Sequence, residues 1–152
     1  MDPLTADVFR AFRTTFHLTR QLLDRSLASR GTHPAEAMCI RVLDGRPGIS
    51  QKDLAELLHL SRPRVTGMLQ ELERAGVVAR HTDEVDQRLT RVTLTELGRI
   101  RARELQEVFA ASLGRTIGAM QPEERRELGR LLDSLAAHAA RALEQEEQVP
   151  NL

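Results

Sequence analysis

Arg62, Arg64, Thr66 and Gln70 lie within one short segment, and their side chains suit the reading of a DNA duplex. An arginine fork pairs with the O6 and N7 of guanine, a glutamine amide pairs with adenine, and a threonine methyl packs on the methyl of thymine. Arg88, farther along, suits a narrow minor groove, where negative potential is enhanced. Asp86, two residues before it, can hold the surrounding loop by a hydrogen bond or ion pair. Ser50, Gln51, Ser61, Arg80 and Arg91 surround these positions and are candidate contacts to phosphate. Each cationic contact would add to the salt dependence of binding.

The elements that must position these residues follow from periodicity. Ser50 starts a helix with Asp53 three residues later, a short-armed capping box. Leu54, Leu57 and Leu58 form the expected buried side. His59-Leu60 makes a turn, and Ser61 caps a second helix that runs to Ala75-Gly76 with Val65, Met68, Leu69 and Leu72 facing inward. Val77–His81 and Leu89–Leu94 alternate apolar and polar residues as half-buried strands do, with a polar turn from Thr82 to Arg88 between them. Thr95 then caps a long helix. This order predicts a mainly α protein with a small β-hairpin wing, that is, a winged helix-turn-helix.

Long helices flank the reading segment. Val8, Phe12, Phe16, Thr19, Leu23 and Leu27 recur at helical spacing from about Leu4 to Ser29, and Gly31 ends the helix. A helix from Pro34 carries Met38, Cys39, Val42 and Leu43, and Arg46-Pro47-Gly48 breaks it. After Thr95 the apolar positions are Ile100, Leu105, Val108, Phe109, Leu113 and Ile117. A last helix from Pro122 to about Glu146 carries Leu128, Leu131, Leu132, Leu135 and Ala139. The tail from Glu144 to Leu152 is expected to fray. Three parts result within one compact domain: an N-terminal dimerisation helix (1–33), the winged helix-turn-helix (34–98) and C-terminal dimerisation helices (99–152). The outer stripes exceed what a small winged module can cover, so a facing subunit should bury the rest. Val8, Phe12, Leu128, Leu132 and Leu135 are the candidate interface residues.

Composition bounds the alternatives. The 152 residues carry 22 basic and 22 acidic side chains, a formal net charge of zero, so attraction to DNA must come from local sorting of charge. Four Phe and neither Trp nor Tyr argue against an aromatic stacking platform for single strands. The single cysteine, Cys39, permits neither an intrachain disulfide nor a cysteine-based zinc site. The five histidines are scattered, with no pair at one-turn spacing. No metal or other cofactor is expected. A Gly-rich phosphate loop, a Gly-x-Ser-x-Gly elbow and a His-Glu-x-x-His pair are all missing from the sequence, so no catalytic residue is assigned and no enzyme is expected. Neither a signal peptide nor an apolar run of about 20 residues is found, which predicts a cytoplasmic protein with no membrane partner.

Taken together, Leu54-Ala55, Ser61, Val65-Thr66, Leu72-Glu73, Gly76-Val77-Val78, Arg80, Asp86-Gln87-Arg88 and Leu94-Thr95-Glu96-Leu97-Gly98 resemble the MarR family of multiple-antibiotic-resistance-type transcriptional regulators. The Asp-x-Arg wing followed by Leu-Thr-x-x-Gly is specific in combination, and the flanking helices extend the likeness to nearly the whole chain. The resemblance implies a homodimer in which the first, fifth and sixth helices interlock. It also implies that Arg62, Arg64 and Thr66 enter the major groove and Arg88 the minor groove of double-stranded DNA. A small, often aromatic or anionic, effector is implied as well, and Phe16, His17, Arg20, Met38, Arg41 and Leu113 are the candidate lining of its pocket. The sequence departs from the peroxide-sensing members, which carry a reactive cysteine in the first helix. Cys39 shares the apolar stripe of the second helix, so a buried structural thiol is expected. The rival class is a winged-helix protein-interaction module without sequence-specific DNA binding, for which the zero net charge and acidic wing leave room.

Overall fold

The computed structural model describes residues 2–147. Its elements run α1 (Pro3–Ala28), α2 (Pro34–Gly45), β1 (Ile49–Ser50), α3 (Gln51–Leu58), α4 (Arg62–Arg74), β2 (Val78–Thr82), β3 (Thr90–Leu94), α5 (Glu96–Gly114), a 3-10 turn (Ile117–Ala119) and α6 (Pro122–Glu147). The chain divides into two compact units between Ser112 and Leu113. The part of the acidic tail beyond residue 147 lies outside the described residues.

In the first unit each helix starts and stops for a local reason. Asp2 caps α1 by accepting from the Thr5 amide, and Pro34 opens α2 at a position where a missing N–H costs nothing. Gly31 takes a positive φ of 66° after α1. His59 ends α3 in the left-handed region at φ 51°, which lets the chain turn sharply into α4. The core gathers Leu27, Ile40 and Leu43 with Leu54, Val65, Leu69 and Leu72 from the reading helices, Val78, Val92 and Leu94 from the strands, and Leu105 and Phe109 from α5.

The sheet has three antiparallel strands in the order β1-β3-β2. The hairpin register pairs Val78 with Leu94, Arg80 with Val92 and Thr82 with Thr90. The third strand, β1, pairs Ile49 with Val92 and Ser50 with Arg91. Two residues are too few to show a period, so this strand is invisible in the sequence and exists only because β3 offers a free edge.

The Leu94-Thr95-Glu96-Leu97-Gly98 motif fastens α5 to the reading module. The Thr95 hydroxyl donates to the Gly76 carbonyl at 2.5 Å and accepts from the Gly98 amide at 3.1 Å, while the Thr95 amide donates to the Val77 carbonyl at 3.0 Å. Gly98 is required by proximity, because a Cβ there would collide with the Val77 carbonyl. Two further contacts tie α5 to α2: Arg101 donates to Glu36 at 2.8 Å, and the Arg41 guanidinium lies 4.2 Å over the Phe109 ring.

Some expected burial does not occur. Spacing places Met38, Leu57, Ile100, Leu113 and Ile117 on inward stripes, yet all are exposed. Helix α5 stops at Gly114, so Ile117 belongs to the 3-10 turn and not to the long helix. On α1, Val8 is 57% and Phe12 48% exposed, in line with Leu4, Phe9 and Phe16. On α6 of the second unit, Leu132 and Leu135 are exposed and Leu128 is half-buried. These stripes are apolar faces that the single chain leaves uncovered.

Candidate nucleic-acid interface

Helix α4 presents the candidate base readers. Arg62, Arg64 and Gln70 are exposed, while Val65, Leu69 and Leu72 hold the opposite face in the core. Helix geometry, roughly 100° per residue, sets Arg62, Thr66 and Gln70 on one ridge and places Arg64 about 200° from Arg62 around the axis. The two arginines therefore flank the exposed surface, with Pro63 and Gly67 between them.

The first turn of α4 runs against the usual charge preference. It carries two arginines and no acid, whereas the partial positive charge at a helix N-terminus favours acids. Ser61 occupies the N-cap position without making a side-chain capping bond, so its hydroxyl and the first amides remain available. Among the described residues, neither Arg62 nor Arg64 enters an ion pair, in contrast to Arg80, Arg88 and Arg91. An unpaired cationic turn at an uncapped helix start gathers positive charge on the exposed surface.

The wing is held by its own acids. Asp83 is the hub: one carboxylate oxygen accepts from the amides of Val85 at 2.9 Å and Asp86 at 2.7 Å, and the other accepts from Arg91 at 2.5 Å. The Asp86 amide, then the Arg91 guanidinium, then the Val85 amide hold the Asp83 carboxyl down to about 2. Asp86 shapes the tip as expected. It receives both Nε (2.9 Å) and Nη2 (3.0 Å) of Arg88 in a bidentate pair, and also the Arg88 amide at 3.1 Å. Arg88 nonetheless stays 89% exposed, and its Nη1 has no part in the pair.

Several residues expected to contact phosphate make bonds within the chain. Ser50 is 2% exposed, and its hydroxyl accepts from the Asp53 amide at 3.1 Å, so the cap that starts α3 buries the group assigned to DNA. Arg80 shares a sheet face with its partner Val92, which turns it inward onto Glu73 at 2.5 Å. Arg91 is spent on Asp83 and on the Gly48 carbonyl at 3.3 Å. Gln51 donates to the Thr66 hydroxyl at 2.6 Å, a link across fifteen residues that no local pattern announces.

Two of the six expected effector residues share a described concavity. His17 and Arg20 border a concavity of about 400 Å³ on α1, together with Gln21, Asp24, Arg25 and Ala28. Phe16, Met38 and Arg41 are outside that lining and exposed, and Leu113 begins the second unit. Cys39 is fully buried, and burial, with Glu36 nearby, pushes its thiol up to about 12. Such a thiol is inert at neutral pH.

A helical pair anchored in the core by one face, a second helix with an exposed, unpaired cationic start, and a braced hairpin beside it define a DNA-binding winged helix-turn-helix. A sequence model of the MarR family matches residues 30–89. The HTH-type transcriptional repressor Rv2887 of Mycobacterium tuberculosis is 30% identical over 118 residues, covering 78% of this chain and 85% of the relative. This chain belongs to the MarR family of transcriptional regulators. Among solved structures, AbsC of Streptomyces coelicolor, a MarR family transcriptional regulator, superposes with a TM-score of 0.78 at 24% identity, covering 92% of this chain and 97% of AbsC. A MepR variant of S. aureus, in a structure bound to an oligodeoxyribonucleotide, superposes with a TM-score of 0.58 at 22% identity, covering 87% of this chain and 97% of MepR. Among the described residues, no helix is long and apolar enough to cross a membrane.

Proposed function

We propose that this chain is a cytoplasmic repressor that binds a pseudo-palindromic DNA operator as a homodimer. The observation that carries the reading is the first turn of α4, which exposes Arg62 and Arg64 unpaired and against the helix dipole. The two arginines and Gln70 address base edges in the major groove, and Ser61 addresses a phosphate. Arg88 reaches the minor groove with Asp86 holding its plane and Nη1 left outside the pair. Arg80, Arg91 and Ser50 contribute by fixing the wing and the start of α3, and α1, α5 and α6 supply the pairing of subunits. The exposed apolar faces of α1 and α6 support that pairing, since each is left without cover in the single chain.

The wing weighs against a pure protein-interaction module. Of its acids, Asp83 and Asp86 are neutralised by Arg91 and Arg88, and Glu84 is left. The acidic appearance of this loop in the sequence is thus largely internal. An effector that favours a spacing of the two α4 helices unlike that of the operator half-sites would release the DNA. A tenfold loss of operator affinity needs about 1.4 kcal/mol of such preference. The concavity beside His17 and Arg20 is the place proposed for it.

Selection from a random-sequence duplex pool tests the reading. The enriched DNA should be an inverted repeat with half-sites about 10 base pairs apart, centre to centre. A pool that shows no enrichment sinks the operator reading and favours the interaction module. A thermal-shift screen with phenolic acids tests the effector, and a flat response across the series favours constitutive repression.

A further inference from the structure

We propose that Gln51 is a positioning residue that makes Thr66 read DNA through its methyl group alone, giving each subunit a thymine-specific contact. The inference rests on the DNA-reading function proposed above. The Thr66 hydroxyl donates its one proton to the Arg62 carbonyl at 2.9 Å and accepts from the Gln51 side-chain amide at 2.6 Å. A helical threonine divides between two rotamers because its hydroxyl can bond back to the preceding turn. The second bond, from α3, selects one of them. Reversing the Gln51 amide would exchange donor and acceptor, yet the hydroxyl proton would still be used inside the protein.

With the hydroxyl occupied, Thr66 has no donor left for a base edge. What it keeps is a methyl in a fixed direction, on the ridge between Arg62 and Gln70. In the major groove the matching group is the C5-methyl of thymine, the one apolar feature among the base edges. Gln51 therefore acts on sequence preference without touching the base. Its place at the first position of α3 ties the two helices of the reading motif at the point where they meet the duplex.

The experiment uses the full chain and the duplex enriched from the random pool. Each thymine of a half-site is replaced in turn by deoxyuridine, which removes only the methyl, and affinity is read by fluorescence anisotropy. At one thymine per half-site the wild type should lose about fourfold, the worth of one buried methyl-sized group, and roughly fifteenfold when both half-sites are changed. Thr66→Ser should bind thymine and uracil duplexes alike, whereas Thr66→Val should keep the preference. Gln51→Ala should reduce the thymine-to-uracil ratio, and have no further effect on it when combined with Thr66→Ser. Wild-type affinity that is indifferent to uracil at every position overturns the proposal, and so does a Thr66→Ser protein that keeps the preference. Failure to enrich any duplex overturns the DNA reading itself, so the two failures are distinguishable. The uracil substitutions act on the DNA, so the first arm requires no variant to fold.

Discussion

Gly67 lies in the interior of α4, where glycine costs about 0.8–1.0 kcal/mol relative to alanine. Nothing in the fold demands it, because a Cβ there would meet no atom within 4 Å. Its position between the flanks that carry Arg62 and Arg64 offers the reason: a bare backbone lets the duplex approach closely. Gly67→Ala should therefore raise stability to urea by about 0.5–1 kcal/mol while lowering affinity for duplex DNA. A variant that is less stable, or one that binds DNA more tightly, contradicts this account. Residue types name Arg62, Arg64 and Arg88 as candidates directly, and the structure leaves all three exposed. The intramolecular uses of Ser50, Arg80 and Arg91 are not legible in sequence, because side-chain chemistry alone does not reveal whether the partner is a phosphate or a carboxylate of the same chain.

Among the elements, the wing has the clearest pH signature. Asp83 accepts from two loop amides and from Arg91, which lowers its pKa from 3.8 to about 2. A carboxyl depressed on folding contributes its stabilisation above its unfolded value and loses it as pH falls through its folded one. The wing should thus stay ordered down to about pH 4 and loosen between about 4 and 2, followed by the amide resonances of Val85 and Asp86. A midpoint near 3.8, or an Asp83→Asn variant whose wing is fully ordered at neutral pH, speaks against Asp83 as the hub. Helices and hairpin strands can be read within a residue or two, because periodicity and caps mark them. The two-residue β1 and the break after Gly114 cannot. A strand that short has no pattern, and the apolar Ile117 continues the helical spacing past the point where the helix ends.

At the scale of the whole molecule, zero net charge means that binding must depend on where charge sits. The proposed pairing of subunits would present two such local patches to the duplex. Phe12 stands in the exposed apolar stripe of α1. Phe12→Asp should shift the protein from twice the chain mass towards the chain mass in sedimentation equilibrium, with operator affinity falling alongside. A variant that sediments as the wild type removes α1 from the interface. The central claim, that the unpaired arginines at the start of α4 carry attraction to duplex DNA, is tested most directly by affinity measured across a salt series. The wild type should show a steeply negative slope of log affinity against log salt. Arg62→Ala combined with Arg64→Ala should weaken binding at least about tenfold across the series, by the loss of two base-reading forks. Binding that ignores salt, or a double variant that follows the wild-type line, would contradict it.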